Sequence, residues 1–483
     1  MSEEQLEIIE CAKNMQNGEI LKINACAGSG KTTTLVAIAE SMPNERFLYL
    51  AFNKNVVLEA RQKFPPNVDV KTLHALAYAS VIAPHDYEVG HELKVHDLQE
   101  IFNDNFRNKR KRWSKWADLL KDIKTYLNSK EIVPNDDIKP YVKELFRLMK
   151  EREIPYTHSF YLKEYQWKKN KNLHIYDYIL LDEAQDTNDN TLNIFLDNPC
   201  KKILVGDSNQ NIYGFLDTIN ALLIVESNYE KYLTNSFRTP QSILDKANFF
   251  LKKYANLKYN MKSMANFIDI KTMVILTRTN ARIIEYVIKE MENDTKNINL
   301  LKNPDEIFEC SIALLNFQNN EELSKKYAFL NSFQDLYKIK EYAEATYDNE
   351  LKFAYELVNK YNDRIYDALE YAKSFLFNNL DSKSDILSAH SAKGLEWDSV
   401  VIASDFDDIN TLKTRLSKAI AVKQKDKEKI KKYKQYLVQE TNLYYVALTR
   451  TRVSCQDLTS NNKFYEKCLE SEKQSKTNPK NYT

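Results

Sequence analysis

Glycine is scarce in this chain: there are seven among 483 residues, where an average composition would hold about 7%. A residue so thinned out survives where a Cβ would clash or where φ must be positive. The survivors are Gly18, Gly28, Gly30, Gly90, Gly206, Gly214 and Gly394. Six cysteines (Cys11, Cys26, Cys200, Cys310, Cys455 and Cys468) are scattered without a CxxC pair. That pattern argues against a disulfide scaffold or zinc ribbon and points to reduced, intracellular thiols. No apolar run approaches the roughly 20 residues of a membrane span. The acidic opening MSEEQLEIIE lacks the basic-then-apolar order of a secretory signal, so no membrane partner is expected. Net charge is nearly absent as well, with 69 Lys+Arg against 68 Asp+Glu. Any polyanion-binding surface must therefore come from local segregation of charge.

What is present is a folding composition, 43% hydrophobic and 28% charged, in a chain longer than the roughly 250–300 residues one core supports. Short apolar runs bounded by polar turns read as buried parallel strands: Ile20–Ile23, Phe47–Leu50, Tyr178–Leu181, Ile203–Val205, Met273–Leu276, Ile386–Leu387 and Val400–Ile402. Helix-period segments follow several of them, which is the alternation of an α/β sheet covered on both faces. From about 85 to 170, and again over 291–379, the pattern turns to charged, aromatic-rich helix without a clear strand. The stretch KQKDKEKIKKYK, Lys423–Lys434, reads as a charged helix.

The strongest local signal is Ala25-Cys-Ala-Gly28-Ser-Gly30-Lys31-Thr32, between strand-like ILKIN and helix-like TTTLVAIAESM. A strand turning tightly into a helix offers backbone N–H groups and a positive dipole end to an anion. Gly28 and Gly30 let the backbone close on phosphate oxygens, Lys31 reaches the β/γ-phosphates, and Thr32 presents a hydroxyl to Mg²⁺. Further on, Tyr178-Ile-Leu-Leu181-Asp182-Glu183-Ala-Gln185-Asp186 sets two adjacent carboxylates at the end of an apolar strand. Asp182 is assigned to the metal and Glu183 to the attacking water. Acidic residues often cap strands, so this pair gains its meaning from the phosphate loop that precedes it.

The ordered series AGSGKT, LLDEAQD, VGDSNQNIYGF, SFRT, TRTNA, HSAKGLEW and NLYYVALTR resembles the superfamily 1 DNA helicases of the UvrD/Rep/PcrA group. Within that group it is most similar to the F-box DNA helicase branch. The resemblance runs from Gln5 to about Arg452. Because the first motif begins at residue 5, a chain without the F-box module is expected, and ubiquitin-ligase partnership is not carried over. The resemblance implies two RecA-like P-loop NTPase domains with parallel sheets, each with a helical insertion, and ATP with Mg²⁺ as cofactors. The expected boundaries are 1–84 and 170–236 for the first domain and 85–169 for its insertion. Those of the second are 237–290 and 380–483, with an insertion over 291–379.

The resemblance also implies roles for single residues. Gln5 would read adenine, and Ala27, Gly28, Ser29, Gly30, Lys31, Thr32 and Thr33 would line the nucleotide. Gln210 would sense γ-phosphate, Phe237 would stack on the base, and Glu396 would touch ribose. Arg238 and Arg450 would bring positive charge to the γ-phosphate. Thr33 stands where relatives often carry arginine, Ala25 stands where glycine opens the loop, and Cys26 adds a thiol with no functional account. Taken singly, Arg238 or Arg450 would read as a surface ion pair and Gln5 as a helix residue.

Single strands are held by aromatic platforms and cations. By resemblance, Phe52, His74, Tyr213, Phe215 and His390 match strand-contacting positions; taken singly, Tyr213 and Phe215 read as core packing, and His74 and His390 as satisfied buried histidines. The run Arg107-Asn-Lys109-Arg110-Lys111-Arg112-Trp113-Ser-Lys115-Trp116 supplies local positive charge, with a solvated helix face as its ordinary reading. Phe464 and Tyr465 suggest the tip of a strand-separating hairpin. The expected activity is ATP-dependent DNA unwinding or translocation on single-stranded DNA and single-/double-strand junctions. The resemblance implies 3′→5′ movement in replication, repair or recombination. A DNA-stimulated ATPase that strips proteins, or a switch subunit of a repair or defence complex, is the alternative.

Overall fold

The structure is a computed structural model that describes residues 1–51, 54–102, 109–168, 173–212, 218–266, 269–324, 326–346, 348–421 and 427–477. The chain divides into two compact units, Met1–Thr234 and Asn235–Thr483.

The first unit is built on six strands: β1 (Ile20–Ala25), β2 (Phe47–Ala51), β3 (Val68–Thr72), β4 (Tyr178–Leu181), β5 (Lys201–Gly206) and β6 (Tyr229–Leu233). Their spatial order is β3-β2-β4-β5-β1-β6, and every pairing is parallel. Alternate residues feed two cores. Phe47, Tyr49, Tyr178, Leu180, Ile203 and Val205 face one side with the helices Glu3–Lys13 and Lys31–Glu40. Leu48, Leu50, Ile179, Leu181 and Leu204 face the other. Burial on both faces is why these strands read as unbroken apolar runs. Between β3 and β4 lie the helices Lys109–Asn128, Lys139–Lys150 and His158–Trp167. In the second of these, Val142, Leu145, Phe146 and Met149 recur at helical spacing and are buried. Each such side chain contributes roughly 1.5–3 kcal/mol.

The second unit carries a small parallel pair, β7 (Asn235–Ser236) with β8 (Lys262–Ser263). Its main sheet comprises β9 (Met273–Thr277), β10 (Ile298–Leu300), β11 (Ser384–Ser388), β12 (Trp397–Ile402) and β13 (Thr451–Asp457). The order is β10-β11-β9-β12-β13, again parallel throughout. The helices Pro304–Gln318, Leu336–Thr346, Asn349–Tyr361 and Arg364–Tyr371 fall between β10 and β11. They share a core with Ile298, Leu300 and Ile386. This is the expected mixed α/β architecture with parallel sheets, consistent with P-loop NTPase domains.

Two expectations are corrected. β10 lies inside the stretch 291–379 read as helical, because a three-residue strand leaves too short a run to stand out. Phe464 and Tyr465 do not tip a hairpin. They sit in the helix Ser460–Thr477, with both rings within 6.2 Å of Phe249, so their apolar surface packs within their own unit. The charged helix expected around Lys423–Lys434 is described from Lys427, where a helix runs to Leu448. Residues 422–426 lie outside the described residues.

Candidate nucleotide site

The loop after β1 is shaped by its two glycines. Gly28 has φ +71° and Gly30 φ +80°, the left-handed region that side chains other than glycine seldom adopt. A Cβ on Gly30 would also come within 3.1 Å of Gln5 Nε2. Gly30 caps the helix Lys31–Glu40 without a side-chain hydrogen bond, which leaves the first-turn N–H groups to an anion. The Ser29 hydroxyl is buried, with no partner among the described residues. A donor left over inside a phosphate-shaped loop suits a phosphate oxygen.

Gln5 is buried beside this loop. Its Oε1 accepts from the Ser2 N–H at 2.8 Å, and its Nε2 donates to Thr34 Oγ1 at 3.2 Å. Thr34 Oγ1 in turn donates to the Gly30 carbonyl at 2.9 Å. The N-terminal capping box is thereby tied to the phosphate loop. Thr33 is exposed, Ala27 is buried, and Thr32 is half-buried. The Cys26 thiol is buried in the loop, and that burial pushes its pKa far up, so it is an inert thiol.

The parallel pairing of β4 with β5, and of β5 with β1, brings the two acids to the loop. Lys31 Nζ lies 3.1 Å from Glu183 Oε1. Burial works against the Lys31 charge, but Glu183, Asp182 and Asp207 outweigh it and raise the ammonium pKa. Asp182 accepts from the Glu183 N–H at 2.8 Å and from the Tyr49 hydroxyl at 2.5 Å. Burial, with the Glu183 charge beside it, raises its carboxyl pKa. Each Asp182 oxygen keeps acceptor capacity, and with the Thr32 hydroxyl the set is all hard oxygen, which suits Mg²⁺. Glu183 has φ +50°, a strained conformation for a residue with a side chain.

That strain is held by Gln185, which is fully buried. Its Nε2 donates to Glu183 Oε2, and its Oε1 accepts from the Asp207 N–H at 3.1 Å. The Gln210 amide donates to Asp207 Oδ2 at 3.0 Å. Lys31 and Asp182 thus meet Glu183 directly, and Gln210 reaches it through Asp207 and Gln185. The motif LLDEAQD already contains Gln185, but its partner across β5 depends on strand register, which no spacing reveals. Tyr49 is likewise silent in the sequence; a tyrosine inside a buried strand is its only signal.

In the second unit, the Arg238 Nη2 pairs with Glu396 Oε2, and Arg452 Nε donates to Glu396 Oε1 at 3.1 Å. Although burial pushes the Glu396 carboxyl up, Arg452 and Arg238 hold it below the usual range. Arg238 Nε is buried without a partner among the described residues. Arg450 is buried and donates to the Val446 and Leu395 carbonyls at 3.0 and 3.2 Å. Phe237 is 47% exposed, an open ring face on the same unit. Sequence reasoning did not single out Arg452.

Among the strand-contact candidates, His74 sits in the short helix Leu73–Ala77, edge-on to His158 and Tyr161 at 6.1 Å. His390 follows β11; burial first, then the Arg278 and Lys302 charges, lowers its pKa to about 3. Phe52, Tyr213 and Phe215 lie outside the described residues, as do Arg107 and the side chains of Arg110, Lys111 and Arg112.

Fold and loop together define an α/β protein of the P-loop nucleoside-triphosphatase class. A match to the AAA domain family covers residues 6–216. The chain is 29% identical over 500 residues to F-box DNA helicase 1 of Gallus gallus, covering 91% of this chain and 47% of that protein. It is 28% identical over 525 residues to F-box DNA helicase protein 1 of Schizosaccharomyces pombe, covering 94% and 56%. The chain spans about half the length of these curated relatives. Its similarity to these two F-box DNA helicases runs over nearly the whole of this chain. A solved chain described as "The structure of PRRSV helicase" aligns at 10% identity and a TM-score of 0.32, covering 95% of this chain and 56% of that one; this overlap is too loose to define a shared arrangement.

Proposed function

We propose that the chain hydrolyses ATP and uses the cycle to move along single-stranded DNA and open duplex ahead of it, in the 3′→5′ sense. The single observation that carries the hydrolytic part is the Lys31–Glu183 ion pair at 3.1 Å, set between the phosphate loop and Asp182. An arriving triphosphate competes for the Lys31 ammonium, and Glu183 is then released to orient water. Phosphoryl transfer needs mostly positioning and charge neutralisation. Backbone N–H groups after Gly28, the Ser29 hydroxyl and Lys31 supply these. Thr32 and Asp182 would hold Mg²⁺, which when bound offsets charge on the β and γ oxygens. Gln210 reports on the γ-phosphate through Asp207, Gln5 and Phe237 engage the base, Glu396 the ribose, and Arg238 and Arg450 add positive charge during turnover.

The domain reading follows the same lines: 1–84 with 170–236, and 237–290 with 380–483, as RecA-like domains, with 85–169 and 291–379 as their insertions. DNA contact is assigned to His74 and His390, with Phe52, Tyr213 and Phe215. The names of the two relatives, both DNA helicases, support DNA as the track inside the cell. The test is ATP turnover with and without single-stranded DNA, beside Glu183→Gln, followed by strand displacement on a 3′-tailed duplex. DNA-stimulated turnover with displacement, both lost in the variant, is the expected result. Turnover indifferent to DNA would overturn the motor reading, and stimulation without displacement would favour a protein-stripping ATPase.

A further inference from the structure

We propose that Tyr49 is a positioning residue for the metal-binding carboxylate, fixing Asp182 through its phenolic hydroxyl. The inference rests on the reading of Asp182 as a Mg²⁺ ligand. Tyr49 is paired with Leu180 across the parallel β2–β4 register. Side chains two apart on a strand share a face, so Asp182 emerges on the face of Leu180, which is also the face of Tyr49. The ring is 1% exposed and packs at 4.7 Å against Phe64.

A tyrosine so placed has to satisfy its hydroxyl inside the core. It does so at 2.5 Å on Asp182 Oδ2, while the Glu183 N–H fills one site on Oδ1 at 2.8 Å. The carboxylate is therefore fixed from both oxygens, with its remaining lone pairs directed by those two donors. Partners of this kind behind a metal ligand orient it, and their loss typically costs about 10–100-fold in metal affinity. The hydroxyl belongs to a different strand from the ligand, which makes the metal site sensitive to the β2–β4 pairing itself.

The experiment measures Mn²⁺ binding, by the electron paramagnetic resonance of free Mn²⁺, to protein saturated with a non-hydrolysable ATP analogue. Tyr49→Phe keeps the ring and removes only the hydroxyl; it should weaken Mn²⁺ binding about tenfold while metal-free nucleotide binding in EDTA is unchanged. Tyr178→Phe is the control, because the Tyr178 hydroxyl, equally buried, donates to the Ala12 carbonyl at 2.9 Å instead. It should retain parental Mn²⁺ affinity. Asp182→Asn should abolish the tight site. If it does and Tyr49→Phe still binds like the parent, the positioning role is overturned while the ligand reading stands. If Tyr178→Phe loses as much as Tyr49→Phe, general loosening of the sheet replaces it. If Asp182→Asn binds normally, the ligand reading itself fails and takes the inference with it.

Discussion

Replacing Gly206 by alanine tests the site through packing alone. Gly206 ends β5, and no positive φ requires glycine there; what it lacks is room. A Cβ at that position would stand 2.2 Å from Gln185 Oε1, 3.1 Å from the Ala184 nitrogen and 3.1 Å from Leu222 Cδ1. Gln185 is fully buried and cannot swing aside into solvent, so it must surrender its bond from the Asp207 N–H, its bond to Glu183, or both. Overpacking of this kind costs typically about 1–3 kcal/mol. Stranding a buried N–H costs about 1–3 kcal/mol more. The expected destabilisation is therefore roughly 2–6 kcal/mol, read as a lower urea midpoint of the first unit by circular dichroism. Catalysis should fall as well, because Glu183 loses the amide that holds it. The double variant Gln185→Ala/Gly206→Ala removes the clash and should recover part of the stability, with a coupling of about 1–3 kcal/mol. A Gly206→Ala protein that unfolds like the parent, or a double variant whose losses simply add, would refute the reasoning.

Two further expectations follow from the second unit and one from the first. Unfolded histidine takes a proton below about pH 6.5, whereas His390 in the fold resists until about 3. Stability should therefore fall as pH drops through that window, by on the order of 2–3 kcal/mol at about pH 4.5. Urea titrations at stepped pH should show a shallower decline for His390→Gln. Glu440 is 4% exposed and holds Arg278 through both its oxygens, at 2.7 and 3.0 Å. Glu440→Ala leaves that guanidinium buried and unpaired, and thermal melts should show a loss of about 3–5 kcal/mol. Glu183→Gln should keep nucleotide binding in a fluorescence titration yet slow turnover roughly 10²–10⁴-fold.

Interior strands were legible in the sequence because burial on both faces leaves an apolar run. Within the two main sheets, the strands that escaped reading are the four edges: β3, β6, β10 and β13. β6 reads YEKYL with only Leu233 buried, and β13 reads TRVSCQD with only Thr451 buried. β3, β6 and β13 each have one pairing partner and carry polar side chains toward water, so hydrophobicity does not announce them; β10 is buried throughout but only three residues long. The site divides in the same way. Lys31, Asp182 and Glu183 stand in runs whose residue types state their chemistry. Tyr49, Gln185 with Gly206, and Arg452 act through partners that register and crossover decide, and spacing along the chain is silent on those.

The central claim is that the loop Ala25–Thr32 and the Asp182–Glu183 pair form one triphosphate-hydrolysing centre. Steady-state ATP turnover by Lys31→Ala, measured with saturating Mg²⁺ and single-stranded DNA, tests it most directly. Loss of a cation aimed at developing charge should lower the rate by roughly 10²–10³-fold while the fold, followed by circular dichroism, is unchanged. Turnover at the parental rate in a folded Lys31→Ala protein would contradict the account.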